Sequence, residues 1–183
     1  LRISDARGFG GKDSPYTLHA RTAKADFQLK VPAGKSPSVS PGSGREFTVA
    51  VDRIDGFDGP VTVSCVNLPQ GFHASSPIVI EEGQDQAFGV IWTDADAAAP
   101  SEEASNNVKL TATAAIKGRM ISHEMSLGQV KLGAAAKVLV RIEPEGNSGS
   151  SSMGKTGPLE LTIRPGETLT AKVHATRVDF KDR

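Results

Sequence analysis

Residues 44–66 read GREFTVAVDRIDGFDGPVTVSCV and contain two strand patterns separated by a turn. Apolar residues alternate with polar or small ones in each half, at Phe47, Val49, Val51, Val61, Val63 and Cys65. Alternation with a period of two predicts strands that bury one face. The central DGFDGP is rich in residues that favour turns. Gly tolerates positive φ, and the Asp side chain forms hydrogen bonds with nearby backbone groups. The stretch therefore predicts two neighbouring strands of an antiparallel all-β protein.

The same alternation recurs on both sides of this stretch. The further residues predicted to face the core are Phe27, Leu29, Val31, Phe88, Val90, Trp92, Val108, Leu110, Ala112, Ala114 and Ile116. Trp92 is thus expected to be a core aromatic rather than a platform for carbohydrate. The only stretch resembling a helix, residues 94–104, is interrupted by Pro100.

Turn signals complete the pattern. Lys117-Gly118 has the length of a two-residue hairpin loop. Beyond it, alternate residues from Ile121 to Leu127 share one face of a predicted strand. Near Gly128 this alternation shifts by one residue, which predicts a β-bulge. Seven or eight short strands in about a hundred residues are typical of an immunoglobulin-like antiparallel β-sandwich, complete over residues 25–133. A small closed barrel fits the same pattern.

An internal repeat extends this organisation. Pro41-Gly42, followed by alternating residues up to Asp55, recurs 124 residues later as Pro165-Gly166, followed by alternating residues up to Asp179. Tandem modules produce such self-similarity. Residues 137–183 are therefore predicted to begin a second, incomplete module, and the chain is expected to be part of a longer polypeptide.

Composition excludes several functions. Twenty-one Lys and Arg balance 21 Asp and Glu, whereas nucleic-acid binders usually carry a basic excess. No apolar run approaches the ~18 residues of a membrane span. The single cysteine excludes a disulfide framework, and Cys65 is predicted to be a buried small hydrophobe.

Three motifs resemble known families. GFDGPVTVS (56–64), NLPQGF (67–72) and PIVIEEGQ (77–84) are similar to the signature of bacterial extracytoplasmic Ig-like domains, although Cys65 departs from the usual small or aliphatic residue. DARGFGGKDSPYTL (5–18) resembles the closing strands of a pre-peptidase C-terminal (PPC) domain, which assigns residues 1–24 to the end of a preceding β domain. Both resemblances imply noncatalytic modules of secreted, periplasmic or cell-surface proteins.

Candidate chemistry is sparse. No catalytic residues and no cofactor site are predicted, because no nucleophile elbow, P-loop or dinucleotide fingerprint occurs. His123-Glu124 begins a zinc-protease motif, but Leu127 stands where the second histidine is required. The best metal candidates are Asp52, Asp55 and Asp58, which could supply calcium with oxygen ligands, although Asp is equally a turn former.

The sequence thus predicts a structural or assembly module of a large exported protein, whose partners are neighbouring modules or subunits. The alternative is a carbohydrate- or protein-binding accessory module of a secreted hydrolase or peptidase. A row of exposed aromatic side chains would favour that alternative, but aromatics are only 5% of residues and most are predicted to face inward.

Overall fold

The structure is a computed structural model that describes residues 7, 10, 17, 19–30, 37–145 and 163–178. Strands dominate this part of the chain. The first six are β1 (Asp26–Lys30), β2 (Ser38–Val39), β3 (Gly44–Ile54), β4 (Val61–Val66), β5 (Phe72–Ala74) and β6 (Ile78–Ile80). There follow β7 (Gln86–Thr93), the helix α1 (Glu102–Asn106), β8 (Lys109–Ile116), β9 (Arg119–Ser126), β10 (Lys131–Leu132), β11 (Val138–Pro144) and β12 (Ala171–Arg177).

Two four-stranded antiparallel sheets contain most of these strands. The first has the order β1-β3-β7-β5 and the second has the order β6-β4-β8-β9. Strands β2 and β10 form a short parallel pair, and β11 with β12 forms a separate antiparallel pair. The all-β, antiparallel prediction is therefore confirmed.

One hydrophobic core draws residues from both four-stranded sheets. Val49 and Ile91 of the first sheet and Val61 and Leu110 of the second are completely buried. Removing each such aliphatic side chain from water contributes about 1.5–3 kcal/mol, which makes this core the main source of stability. The predicted inward phases of β1, β3, β4 and β8 are confirmed wherever the structure describes them, whereas Val31 lies outside the described residues.

The predicted phase of β7 is wrong. Ile91 is buried, whereas Phe88 is 60% exposed and Val90 is 41% exposed. Gly89 faces the core instead, and a Cβ built on it would lie 2.4 Å from Cδ1 of Ile78 and 2.9 Å from the ring of Phe47. These two side chains fill the volume that a larger residue at position 89 would need, so the phase that contains Gly89 and Ile91 faces the core and the phase that contains Phe88, Val90 and Trp92 faces outward.

The predicted bulge near Gly128 is also wrong. The β8–β9 ladder stays regular to Ser126, and Gly128 then adopts φ 88°, in the left-handed region. The chain turns there so that Val130 enters the core and β10 pairs with β2. The shift in the alternation thus marks the end of β9, where the chain leaves the second sheet.

Two local predictions agree with the structure. Lys117 and Gly118 both have positive φ, as a two-residue type I′ hairpin requires. The 94–104 stretch becomes helical only at its end, where the side chain of Ser101 accepts a hydrogen bond from the Ala104 backbone N–H and caps α1.

Candidate functional site

An apolar stripe runs along the solvent side of β7. Phe88, Val90 and Trp92 point outward at alternate positions, and exposure decreases from Phe88 to the half-buried Trp92. Gly44 of β3 is the neighbour of Trp92 in the sheet and has no side chain to cover it. Neither aromatic residue lies in the core, so the prediction that both face inward is wrong, and the first sheet presents an aromatic outer surface.

Trp92 is held in place by a histidine on the adjacent strand. The imidazole of His73 in β5 stacks on the indole, with the ring centroids 5.6 Å apart and the planes 23° apart. His73 Nε2 lies 3.0 Å from Oδ1 of Asp94, which fixes the orientation of the imidazole. Because the ring is supported on one side, the indole loses little further side-chain freedom when a partner contacts its other side.

The β11–β12 pair has two very different faces. The register pairs Val140 with Ala175 and Ile142 with Val173, so these four side chains share one face. Val140, Ile142 and Val173 are each about two-thirds exposed. The other face is mainly polar: beside the half-buried Leu139 it has ion pairs that include Arg141–Glu143 and Lys172–Glu145. An exposed aliphatic face next to a polar one is typical of a surface that another element covers.

The two apolar surfaces meet at a cleft. Its volume is about 620 Å³, and one wall contains Val90 and Trp92 while the other is Val138 to Val140 of β11. The rest of the lining is Gly42, Ser43, Gly44, Arg45, Glu46 and Thr93. The first-sheet residues of the lining come from β3 and β7, whereas His73 is on β5, the neighbour of β7 on its other side.

The three calcium candidates lie in different electrostatic pairs. Asp55 accepts hydrogen bonds from the Arg21 side chain and the Lys24 backbone N–H, and these bonds lower the pKa of its carboxyl group. Asp52 pairs with Lys30, and Asp58 lies 3.8 Å from Nε of Arg53. Across the described stretches of the chain, no three Asp, Glu, His or Cys side chains are close enough to share a metal ion. Asp52 lies in β3, and Asp55 and Asp58 follow that strand, each with a cationic partner of its own.

Arg53 connects two turns. Its guanidinium donates hydrogen bonds to the carbonyl oxygens of Gly59, Glu81 and Gln84, and it lies 5.5 Å from the centre of the Phe57 ring. Charge-assisted bonds of this kind are stronger than neutral ones. The DGFDGP turn is therefore held by the guanidinium of Arg53.

A second histidine joins the two sheets. His123 of β9 lies with Nε2 2.8 Å from Oδ1 of Asp26 in β1, and its ring packs edge-on against Phe27 at 4.8 Å. The hydrogen bond from His123 is the main cause that lowers the pKa of Asp26. His123 thus makes a structural contact between the two sheets. Its strand, β9, contains no second histidine.

This contact leads to a prediction about acid stability. Because the pKa of Asp26 is lower in the folded state than in the unfolded state, ionised Asp26 stabilises the fold above its unfolded pKa of about 3.9. That stabilisation is lost as the pH falls through the folded pKa. Asp26→Asn should therefore lower the free energy of unfolding at pH 6 by up to about 1 kcal/mol and flatten its decline below pH 4. Urea denaturation at pH 3 to 6 measures both effects, and equal slopes in the two proteins would contradict the prediction.

Cys65 packs against the core beside two buried valines of β4. The side chain is half-buried and free, and burial raises its pKa to about 11. Since the thiolate is the reactive form, a rise of about two units leaves about a hundredfold less of it at pH 8. A maleimide should therefore label the native protein at least tenfold more slowly than the urea-unfolded protein. Equal labelling rates would show that the strand is placed incorrectly.

Comparisons with protein-family models, with curated proteins and with solved structures found no match to this chain. No helix in the described part of the chain has the length and apolar character needed to cross a membrane.

Proposed function

We propose that this chain is a noncatalytic structural and assembly module of a large extracytoplasmic protein, and that it works by packing against neighbouring modules or subunits. The first unit is an immunoglobulin-like sandwich over residues 25–133, and β11–β12 belongs to a second module that begins near residue 137. The resemblances to exported Ig-like and PPC domains support a periplasmic, cell-surface or secreted location.

The strand order supports the Ig-like assignment. Constant-type Ig domains place strands A, B, E and D in one sheet and C, F and G in the other. Here β1, β3, β7 and β5 occupy the first set of positions, and β4, β8 and β9 occupy the second. The additional strand β6 extends the second sheet beside β4.

The backbone at the repeat supports tandem modules. Gly42 and Gly166, 124 residues apart, both have positive φ. In each turn the residue after this glycine donates its backbone N–H to the carbonyl oxygen three positions back, Ser43 to Ser40 and Glu167 to Arg164. The strand pairing agrees as well. Arg53 pairs with Phe27 in the first unit, and Arg177, again 124 residues later, pairs with Val138 in the second.

The single observation that carries the proposal is the exposure of the apolar face of β11–β12. By the pairing above, Val138 corresponds to Phe27, Val140 to Leu29, and Val173 to Val49. The first-unit residues are buried under the opposite sheet, whereas the second-unit residues are exposed. An exposed half-core of this kind is unstable in water until another sheet covers it. We infer that an additional sheet, from a neighbouring module or subunit, completes the second unit.

Amide hydrogen exchange on the 183-residue chain tests the proposal. Core amides of β3, β7 and β8 should be protected by a factor of about 10³ or more, while those of β11 and β12 should exchange within seconds to minutes. Slow exchange throughout a chain that sedimentation shows to be monomeric would contradict the assembly role, because β11–β12 would then be stable without a covering partner.

One observation favours the alternative, an accessory module that binds a carbohydrate or protein ligand. Trp92 and Phe88 are presented outward, and Trp92 borders a cleft that also contains Ser43, Arg45 and Glu46. An aromatic ring beside a few polar groups is a common arrangement in sites for small ligands. Trp92 is the only tryptophan in the chain, so its fluorescence reports on this site alone. A saturable change on titration with neutral oligosaccharides that is lost in Glu46→Ala would establish the alternative.

A further inference from the structure

Residues 21–24, which lead into β1, lie exposed on the surface but are attached to the DGFDGP turn. The guanidinium of Arg21 donates to both carboxylate oxygens of Asp55. The backbone N–H of Lys24 donates to the same carboxylate over 2.8 Å. The Arg21 side chain is 64% exposed and that of Asp55 only 18%, so the acceptor is part of the folded unit and the donors come from the incoming segment.

The turn that carries Asp55 is itself firmly held. Asp55 and Gly56 have positive φ, 51° and 78°. The backbone N–H of Phe57 donates to the carbonyl oxygen of Ile54, which closes a tight turn around them. Asp is one of the few residues besides glycine that adopt this conformation readily. Because the Phe57 ring is buried against Phe27 of β1, with the centroids 5.8 Å apart, the Asp55 carboxylate is presented from a fixed position.

The carboxylate extends the β1–β3 pairing beyond the point where the backbone ladder ends. The last register pair joins Asp26 to Ile54, and the chain turns away after it. The N–H of Lys24 therefore donates to the side chain of Asp55 where a further backbone carbonyl would be needed. Arg21 adds a bidentate contact three residues earlier, and such charge-assisted bonds are stronger than neutral ones. Two attachments so close together give residues 21–24 one course along the turn.

We propose that Asp55 is a clamp that fixes the direction in which the chain enters the first unit, and with it the placement of the domain that the PPC resemblance assigns to residues 1–24. The inference rests on the proposed function, in which the chain packs against neighbouring modules, and it identifies one joint between two of them. Residues 1–24 contain five Arg and Lys against two Asp, so unlike charge also attracts the segment to a carboxylate. A joint of fixed direction couples two modules that a free linker would leave to move independently.

Trypsin cleavage of the full chain after Lys24 tests the clamp. The protease must bind this segment in an extended form, so the clamped residues have to leave Asp55 first. Asp55→Asn keeps the size of the side chain and its tolerance of positive φ but removes the charge. Arg21→Gln removes the guanidinium and leaves the bond after Lys24 as the reporter. Each change should increase the rate at which the fragment beginning at Ala25 appears by about fivefold.

Two further variants show whether the contact itself is responsible. Asp58→Asn is the matched control, since it makes the same change in the same turn at a carboxylate that lies beside Arg53, and it should leave the rate after Lys24 unchanged. The double variant Asp55→Asn with Arg21→Gln should be cleaved no more than about twofold faster than Asp55→Asn alone, because both changes remove one shared contact.

A nitroxide attached in Ala20→Cys reports on the same segment without any cleavage, with Cys65→Ala removing the other thiol. Its electron paramagnetic resonance spectrum should show restricted motion, and Asp55→Asn should make the motion faster. Equal cleavage rates in Asp55→Asn and the unmodified chain would overturn the clamp, as would an equal effect of Asp58→Asn or a nitroxide whose motion Asp55→Asn leaves unchanged. Neither reading involves β11–β12, so the clamp and the assembly role, which amide exchange tests, can fail separately.

Discussion

Gly89→Val is expected to destabilise the protein by about 3 kcal/mol, close to the upper end for overpacked cores. Even a single added Cβ would lie 2.4 Å from Cδ1 of Ile78 and 2.9 Å from two carbons of the Phe47 ring. Ile78 can turn its terminal methyl away, but the Phe47 ring, which is partly buried against the core, has to shift as a rigid group. Urea denaturation followed by far-UV circular dichroism measures the change in the free energy of unfolding.

Phe88→Ala is the matched control for this prediction, because it alters the adjacent residue of the same strand. Its side chain is 60% exposed, so the loss should stay within about 0.5 kcal/mol. If β7 had the opposite phase, removing a buried phenylalanine would cost about 3–5 kcal/mol, and the glycine site would tolerate valine. With the phase seen in the structure, Gly89→Val loses more stability than Phe88→Ala, and with the opposite phase the order is reversed. A larger loss for Phe88→Ala would therefore contradict the structure.

Arg53→Ala is expected to cost about 2–3 kcal/mol, through lost hydrogen bonds to three carbonyl oxygens and lost contact with the Phe57 ring. The side chain is only 11% exposed, so water compensates poorly for these bonds. Arg53→Lys should recover less than half of the loss, since one ammonium group cannot reach three carbonyls as a planar guanidinium does. The measurement is again the free energy of unfolding in urea.

Arg45→Ala is the control for charge alone, because Arg45 lies on the same strand but is exposed and donates one long hydrogen bond, 3.3 Å, to the carbonyl oxygen of Ser38. It should change stability by no more than about 0.5 kcal/mol. Similar losses at Arg45 and Arg53 would indicate a general effect of positive charge, and the connecting role of Arg53 would be rejected.

The candidate site was only partly visible in the sequence. The 124-residue repeat predicted that residues 137–183 begin an incomplete module, which is the premise of the proposed function. The outward position of Trp92 was missed because two arguments favoured the core. The indole is a large apolar side chain, and Ig domains usually bury a tryptophan. Gly89 and Gly44 were the available signals: a glycine within a strand pattern often marks a close approach by another group.

The sequence by itself determined the long strands and the antiparallel arrangement of the two four-stranded sheets, since these features depend on alternation and on local turn chemistry. It did not show the short strands β2 and β10, which pair in parallel. It also determined the inward faces of β1, β3, β4 and β8, where one phase is clearly more apolar than the other. In β7 both phases are apolar, so the pattern could not decide between them. Only the tertiary structure decided, because Ile78 and Phe47, brought from other strands, occupy the space in front of Gly89, so the phase that contains Gly89 and Ile91 faces the core. The place of Trp92 on the surface follows from that packing.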